Sequence, residues 1–158
     1  MLNTPRKIIV HHTAAVGPLP QFSSINAWHK ERDFPISSLG YYVGYHYVIE
    51  KDGQLRTARR ESEIGAHTIG QNESSIGVCL VGNFDTEAPT AQQINTLGDL
   101  LAALCTRYLL TAEDIYPHRH FAAKSCYGSR LGDYWAARVY LQHEATRYNL
   151  LLDQLPHD

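Results

Sequence analysis

The chain has 158 residues, 44% of them hydrophobic and 19% charged, with 14 Lys+Arg against 16 Asp+Glu. That length suits one domain with its own core and no need of disulfide staples, and a formal charge of -2 argues against a surface built to neutralise nucleic-acid phosphates. No apolar run reaches the roughly 18 to 20 residues of a membrane span, and the stretch Met1 to Lys7 has no apolar signal-peptide core.

In chain order, Lys7-Ile8-Ile9-Val10-His11-His12 is β-branched and apolar, which predicts an interior strand ending in two histidines. Gly17-Pro18-Leu19-Pro20 breaks the chain, after which Ser23 or Ser24 is expected to cap a helix reaching about Arg32, with Ile25 and Trp28 facing inward. Tyr41 to Glu50 is aromatic-rich and reads as a strand; Lys51-Asp52-Gly53 turns it back into Gln54-Leu55-Arg56-Thr57 as a hairpin. Arg59 to Glu73 is polar, contains Gly65 and Gly70, and reads as a functional loop. Ser75 to Val81 is a buried strand. Pro89-Thr90 opens a helix to about Leu109, Asp114 to Pro117 is a short extended piece, and Asp133 to about Asn149 is a last helix that packs through Trp135, Val139 and Tyr140. The hairpin excludes a purely parallel sheet. The expected fold is α/β: a single domain, residues 1–158, with a central mixed β-sheet flanked by helices.

Nine His and an odd count of three Cys raise the question of a metal. Cys79 lies in the apolar Ser75–Val81 run and Cys105 on a helical stripe with Ile94, Leu97, Leu101, Leu104 and Tyr108, so both read as core. Cys126 differs, because Lys124-Ser125-Cys126-Tyr127-Gly128 is a polar loop. Catalytic zinc takes three imidazole or thiolate ligands and leaves one position for water. His11 or His12 from the first strand, with His118 and Cys126 from a distant loop, offers such a set; scattered surface histidines beside an idle thiol is the alternative on these residues alone.

Five ordered segments resemble the zinc-dependent type 2 N-acetylmuramoyl-L-alanine amidases, a family that includes small phage endolysins and the animal peptidoglycan-recognition proteins. They are Ile8-Ile9-Val10-His11-His12-Thr13-Ala14, Ile25 to Phe34, Gly44-Tyr45-His46 through Gly53, Gly65-Ala66-His67 with Asn72 to Phe84, and His118 with Lys124 and Cys126. The resemblance implies that His11, His118 and Cys126 bind one Zn2+, that Tyr45 and Lys124 are catalytic, and that His67 contacts substrate. It implies hydrolysis, by a zinc-activated water, of the amide between the lactyl group of N-acetylmuramic acid and L-Ala of peptidoglycan, with Lys124 stabilising the oxyanion. His46, facing away from Tyr45 on a regular strand, reads as structural or as a support behind the metal ligands. His120 stands where relatives often have a carboxylate, and Tyr127 where they often have Pro, a change expected to loosen the Cys126 loop.

Rival readings are a non-catalytic peptidoglycan-binding module, which typically lacks the Cys ligand, and a cysteine hydrolase using Cys126 with His118. A cytoplasmic muropeptide-recycling amidase is a further alternative. The expected setting is a monomer made in the cytoplasm without a signal peptide and acting on the cell wall after release or export. Its partner is peptidoglycan or a muropeptide. Contact with a phage RNA polymerase, known for some phage members, has no visible signal before Lys7.

Overall fold

Ile8, Ile9 and Val10 have no exposed surface because their strand is paired on both sides. The structure is a computed structural model describing residues 2–16 and 21–156; the expected break at Gly17–Pro20 lies outside the described residues. The chain runs β1 (Lys7–His12), α1 (Phe22–Glu31), β2 (Tyr47–Ile49), β3 (Leu55–Thr57), β4 (Ser75–Leu80), α2 (Ala91–Tyr108), β5 (Ile115–Pro117) and α3 (Trp135–Leu152). The sheet order is β3-β2-β4-β1-β5. β1 pairs in parallel with β4 and β5, β2 pairs in parallel with β4, and β3 closes one edge as the antiparallel arm of the hairpin. This is the single mixed α/β domain expected from the sequence.

Strand alternation divides the interior between two faces. Ile8 and Val10 of β1 and Ile76, Val78 and Leu80 of β4 meet Leu97, Leu101 and Leu104 of α2, with Ala136 and Val139 of α3 behind them. Burying each Leu or Ile contributes about 1.5–3 kcal/mol, so this face supplies most of the apolar stabilisation. The opposite face holds Phe22 and Ile25 of α1 against Val43, Val48, Ala58, Cys79 and Val81. His11 also points to this second face, which α1 covers only in part.

Three expectations need correction. The strand forecast for Tyr41–Glu50 shrinks to Tyr47–Ile49, because the preceding backbone is bonded elsewhere: Tyr42 N donates to Asn26 Oδ1, Gly44 N to His29 Nδ1, and Gly44 O accepts from Ala66 N. The crossing loop lies so close that a Cβ on Gly44 would sit 2.2 Å from Ala66 O. Neither Ser23 nor Ser24 caps α1; both lie within it, and the buried Glu50 carboxylate accepts Gln21 N at 2.8 Å and Phe22 N at 2.9 Å instead. An anion there also meets the positive end of the helix. Finally, α1 faces inward through Phe22, Ile25 and His29, while Trp28 is 43% exposed. Thr90 does cap α2, in a reciprocal box with Gln93. Among the described residues no helix is long and apolar enough to cross a membrane.

Candidate active site

Parallel pairing of β1 with β4 and β5 carries His11 to the edge of the less covered face, in register with Cys79. His12, one residue on, turns the other way: its Nδ1 accepts Phe84 N–H at 3.0 Å and its ring packs near Phe84. β5 ends at Pro117, and a single 3-10 turn, His118–His120, sets the His118 ring 4.4 Å from that of His11. The loop that follows returns Cys126 to the same place. One ligand atom from each of His11, His118 and Cys126 lies within 4.8 Å of the others. His11 Nδ1 is 3.8 Å from Cys126 Sγ.

The Cys126 loop is held from both sides. Arg119, next to His118, donates through Nη1 to Gly128 O at 2.9 Å and Ser125 O at 3.3 Å, and through Nη2 to Leu131 O at 2.6 Å. Its Nε pairs with Asp133, and its backbone N–H donates to Cys126 O. Across the loop Asp85 accepts Ser125 Oγ–H and Ser129 N–H. Tyr127 does not loosen the loop, contrary to expectation. It is fully buried, its hydroxyl donates to the carbonyls of the turn at Gly132 and Asp133, and its ring meets Trp135 edge-on. A large apolar ring with one satisfied polar tip anchors the segment by its own burial.

The electrostatics favour neutral ligands. Burial, then the neighbouring His67 and His118, holds His11 well below the ordinary imidazole range; burial and Lys124 bring His118 down to about 4. Both rings are therefore free bases at neutral pH, the form that coordinates metals. Burial raises the Cys126 thiol to about 11, partly offset by the His12 N–H, which points at Sγ from 3.4 Å. Two neutral imidazoles and one sulfur that already receives a backbone donor fit a borderline-soft divalent cation.

Tyr45 lies beside this triangle, its ring 4.9 Å from His11. Burial, then Cys79 and Cys126, keeps its hydroxyl protonated well above the usual phenol range, so it is a hydrogen-bond donor. His118, His67 and the exposed Lys124 line one cavity of 490 Å³ with Phe34 and Phe121. Two larger depressions, one of 850 Å³ between α2 and α3 and one of 920 Å³ between β5 and α3, hold neither Tyr45 nor any of the three clustered donors. His46 is structural, with Nδ1 accepting Gly77 N–H and Nε2 donating to Glu63 O. His120 is exposed, its ring tilted against Tyr116 and edge-on to Phe121. Sequence reasoning missed Arg119, Asp85 and Glu50: Arg119 binds carbonyls of the loop that follows it, Asp85 accepts Ser125 Oγ–H and Ser129 N–H, and Glu50 accepts the N–H groups of Gln21 and Phe22.

A mixed sheet whose first strand and last loop bring two imidazoles and a thiol together defines an α/β domain able to hold a metal. The chain belongs to the N-acetylmuramoyl-L-alanine amidase family, whose sequence profile matches residues 1–129. It is 34% identical over 116 residues to the endolysin of Escherichia phage T7, covering 70% of this chain and 72% of that protein. It is 32% identical over 135 residues to the endolysin of Klebsiella phage KP32, covering 82% and 84%. The solved structure of an N-acetylmuramoyl-L-alanine amidase from Clostridium intestinale URNW superposes with a TM-score of 0.74 at 28% identity, covering 91% of this chain and 90% of that one.

Proposed function

We propose that the chain hydrolyses the amide joining the lactyl group of N-acetylmuramic acid to L-Ala of peptidoglycan with a zinc ion held by His11, His118 and Cys126. We further propose that it acts on the cell wall after release, in the manner of an endolysin. The observation that carries the reading is the cluster of two imidazole nitrogens and one thiol within 4.8 Å of one another. A zinc ion held there supplies Lewis acidity towards the scissile carbonyl and acidifies water in the site.

The protein's own groups do the rest. The Tyr45 hydroxyl, protonated at working pH, donates to the oxygen on which negative charge grows. The Lys124 ammonium approaches from the cavity wall and stabilises the same charge, a contribution typically worth 10²–10³-fold in rate. Phe34 and Phe121 bound the cavity. Water adds to the carbonyl carbon, the C–N bond breaks, and the proton passes to the departing nitrogen. The products are a muramoyl carboxylate and a peptide with a free L-Ala amine.

The two imidazoles that converge with Cys126 within 4.8 Å support a ligand role over a nucleophilic one, because a cysteine nucleophile needs one histidine as its base whereas a metal site uses both. The test is mass spectrometry of digested sacculi alongside metal analysis. The reading expects lactyl-amide cleavage, one zinc per chain, and joint loss of metal and activity in Cys126→Ser. Activity that survives complete zinc removal but requires Cys126 would instead establish the cysteine-hydrolase reading.

A further inference from the structure

His67 sits on a loop that dips onto the metal-side face of β4, and its place is built by other residues. Its backbone N–H and that of Thr68 both donate to Asn72 Oδ1 at 2.9 Å, which fixes the loop tip. The ring fills space left by two absent side chains. A Cβ on Gly77 would lie 2.5 Å from His67 Cδ2, and a Cβ on Gly65 would lie 2.6 Å from the same atom. Further along the strand face, Ser75 Oγ is 3.4 Å from His67 Nε2. So held, the ring stands perpendicular to that of His11, at 89°, with its Nδ1 3.1 Å from His11 Nε2.

A neutral imidazole has one N–H and one lone pair, and the partner of one nitrogen decides which atom is left for a metal. Among the described hydrogen bonds, His67 is the partner of His11 Nε2, while His11 Nδ1 faces Cys126 Sγ. Thr68 Oγ1, 3.0 Å from His67 Nδ1, flanks the same contact.

Resting on the zinc reading above, we propose that His67 is a positioning residue: it accepts His11 Nε2–H and so presents the Nδ1 lone pair of His11 to the metal. The role differs from the substrate contact that family resemblance implies, and both use the same side chain. The slot between Gly65 and Gly77 stops the acceptor from turning away. Losing such a partner typically lowers metal affinity 10–100-fold.

Zinc affinity of the full chain, measured by chelator competition, tests this with two variants. His67→Phe fills the slot without an acceptor and is expected to bind zinc 10–100-fold more weakly. His67→Asn, whose Oδ1 falls near the position of Nδ1, is expected to stay within a few-fold of wild type. Histidine-ring nitrogen NMR of the zinc-loaded wild-type protein is expected to show His11 coordinated through Nδ1 with Nε2 protonated; this readout stands even if a variant fails to fold. Equal affinity in His67→Phe and wild type overturns the proposal. So does an Asn variant as weak as the Phe variant, or coordination of His11 through Nε2. Retention of zinc by Cys126→Ser would overturn the underlying site reading instead.

Discussion

Arg119→Met removes the guanidinium donors that staple the Cys126 loop while keeping an unbranched stem near Tyr127. Hydrogen bonds to charged donors contribute about 1.5–3 kcal/mol when buried, but this site is half open, so about 1 kcal/mol each is the fair value for the Gly128 and Leu131 carbonyls. The longer contact to Ser125 O adds little, and the pair with Asp133, whose side chain is 67% exposed, adds almost nothing. Roughly 2 kcal/mol of loop order is then lost. If the loop must reorder to bring Cys126 to the metal, that is about a 30-fold weaker zinc Kd. Urea unfolding of the metal-free protein and chelator competition measure the two quantities separately. A variant that changes stability by under about 0.5 kcal/mol and zinc affinity by under about threefold refutes the stapling argument, which rests on these magnitudes.

Lys124→Ala should keep its zinc and its melting temperature, because the side chain is exposed, yet lose about 10²–10³-fold in kcat; turnover with zinc content on one preparation checks it. Gly77→Ala should destabilise by about 1–3 kcal/mol and weaken zinc binding, since the new methyl presses on a His67 ring that Gly65 blocks from behind; unfolding and metal titration read it out. The fold should also be acid-labile. Burial holds His46 at about 4 against an ordinary 6.5. The unfolded chain therefore takes up a proton first as pH falls. The stability His46 contributes is complete above about pH 6.5 and is lost as pH drops towards 4, by about 3 kcal/mol. His29 acts in the same sense. Urea midpoints at pH 7.5 and 5 should differ, and less so in His46→Gln.

Legibility in the sequence followed the range of the interaction. β1, β4 and α2 announced themselves because runs such as Ile8-Ile9-Val10 and the Leu97–Leu101–Leu104 stripe encode burial locally, and Thr90 with Gln93 encodes its cap within four residues. α3 runs past the expected Asn149 to Leu152, since leucines continue on several sides of the helix and no polar face marks its end. The Tyr41–His46 segment misled because aromatic content resembles a strand, whereas its bonds go to Asn26, His29 and Ala66. The side chains that gather at the cavity were named from motif order. The supports behind them were invisible: Arg119 reads as an ordinary charge until the chain folds, and Gly77 as an ordinary strand glycine until His67 lies on it.

His11 and Cys126 stand 115 residues apart in the chain, one at the end of the first strand and the other in a loop after the last. A cation bridging them acts as a covalent staple would, closing a loop of a size for which the chain-entropy model gives about 4.7 kcal/mol. In a protein whose three thiols are all free, a metal is the cross-link available. Loading should then raise the melting temperature as well as switch on turnover. A chain truncated before Cys126 would lack this cross-link.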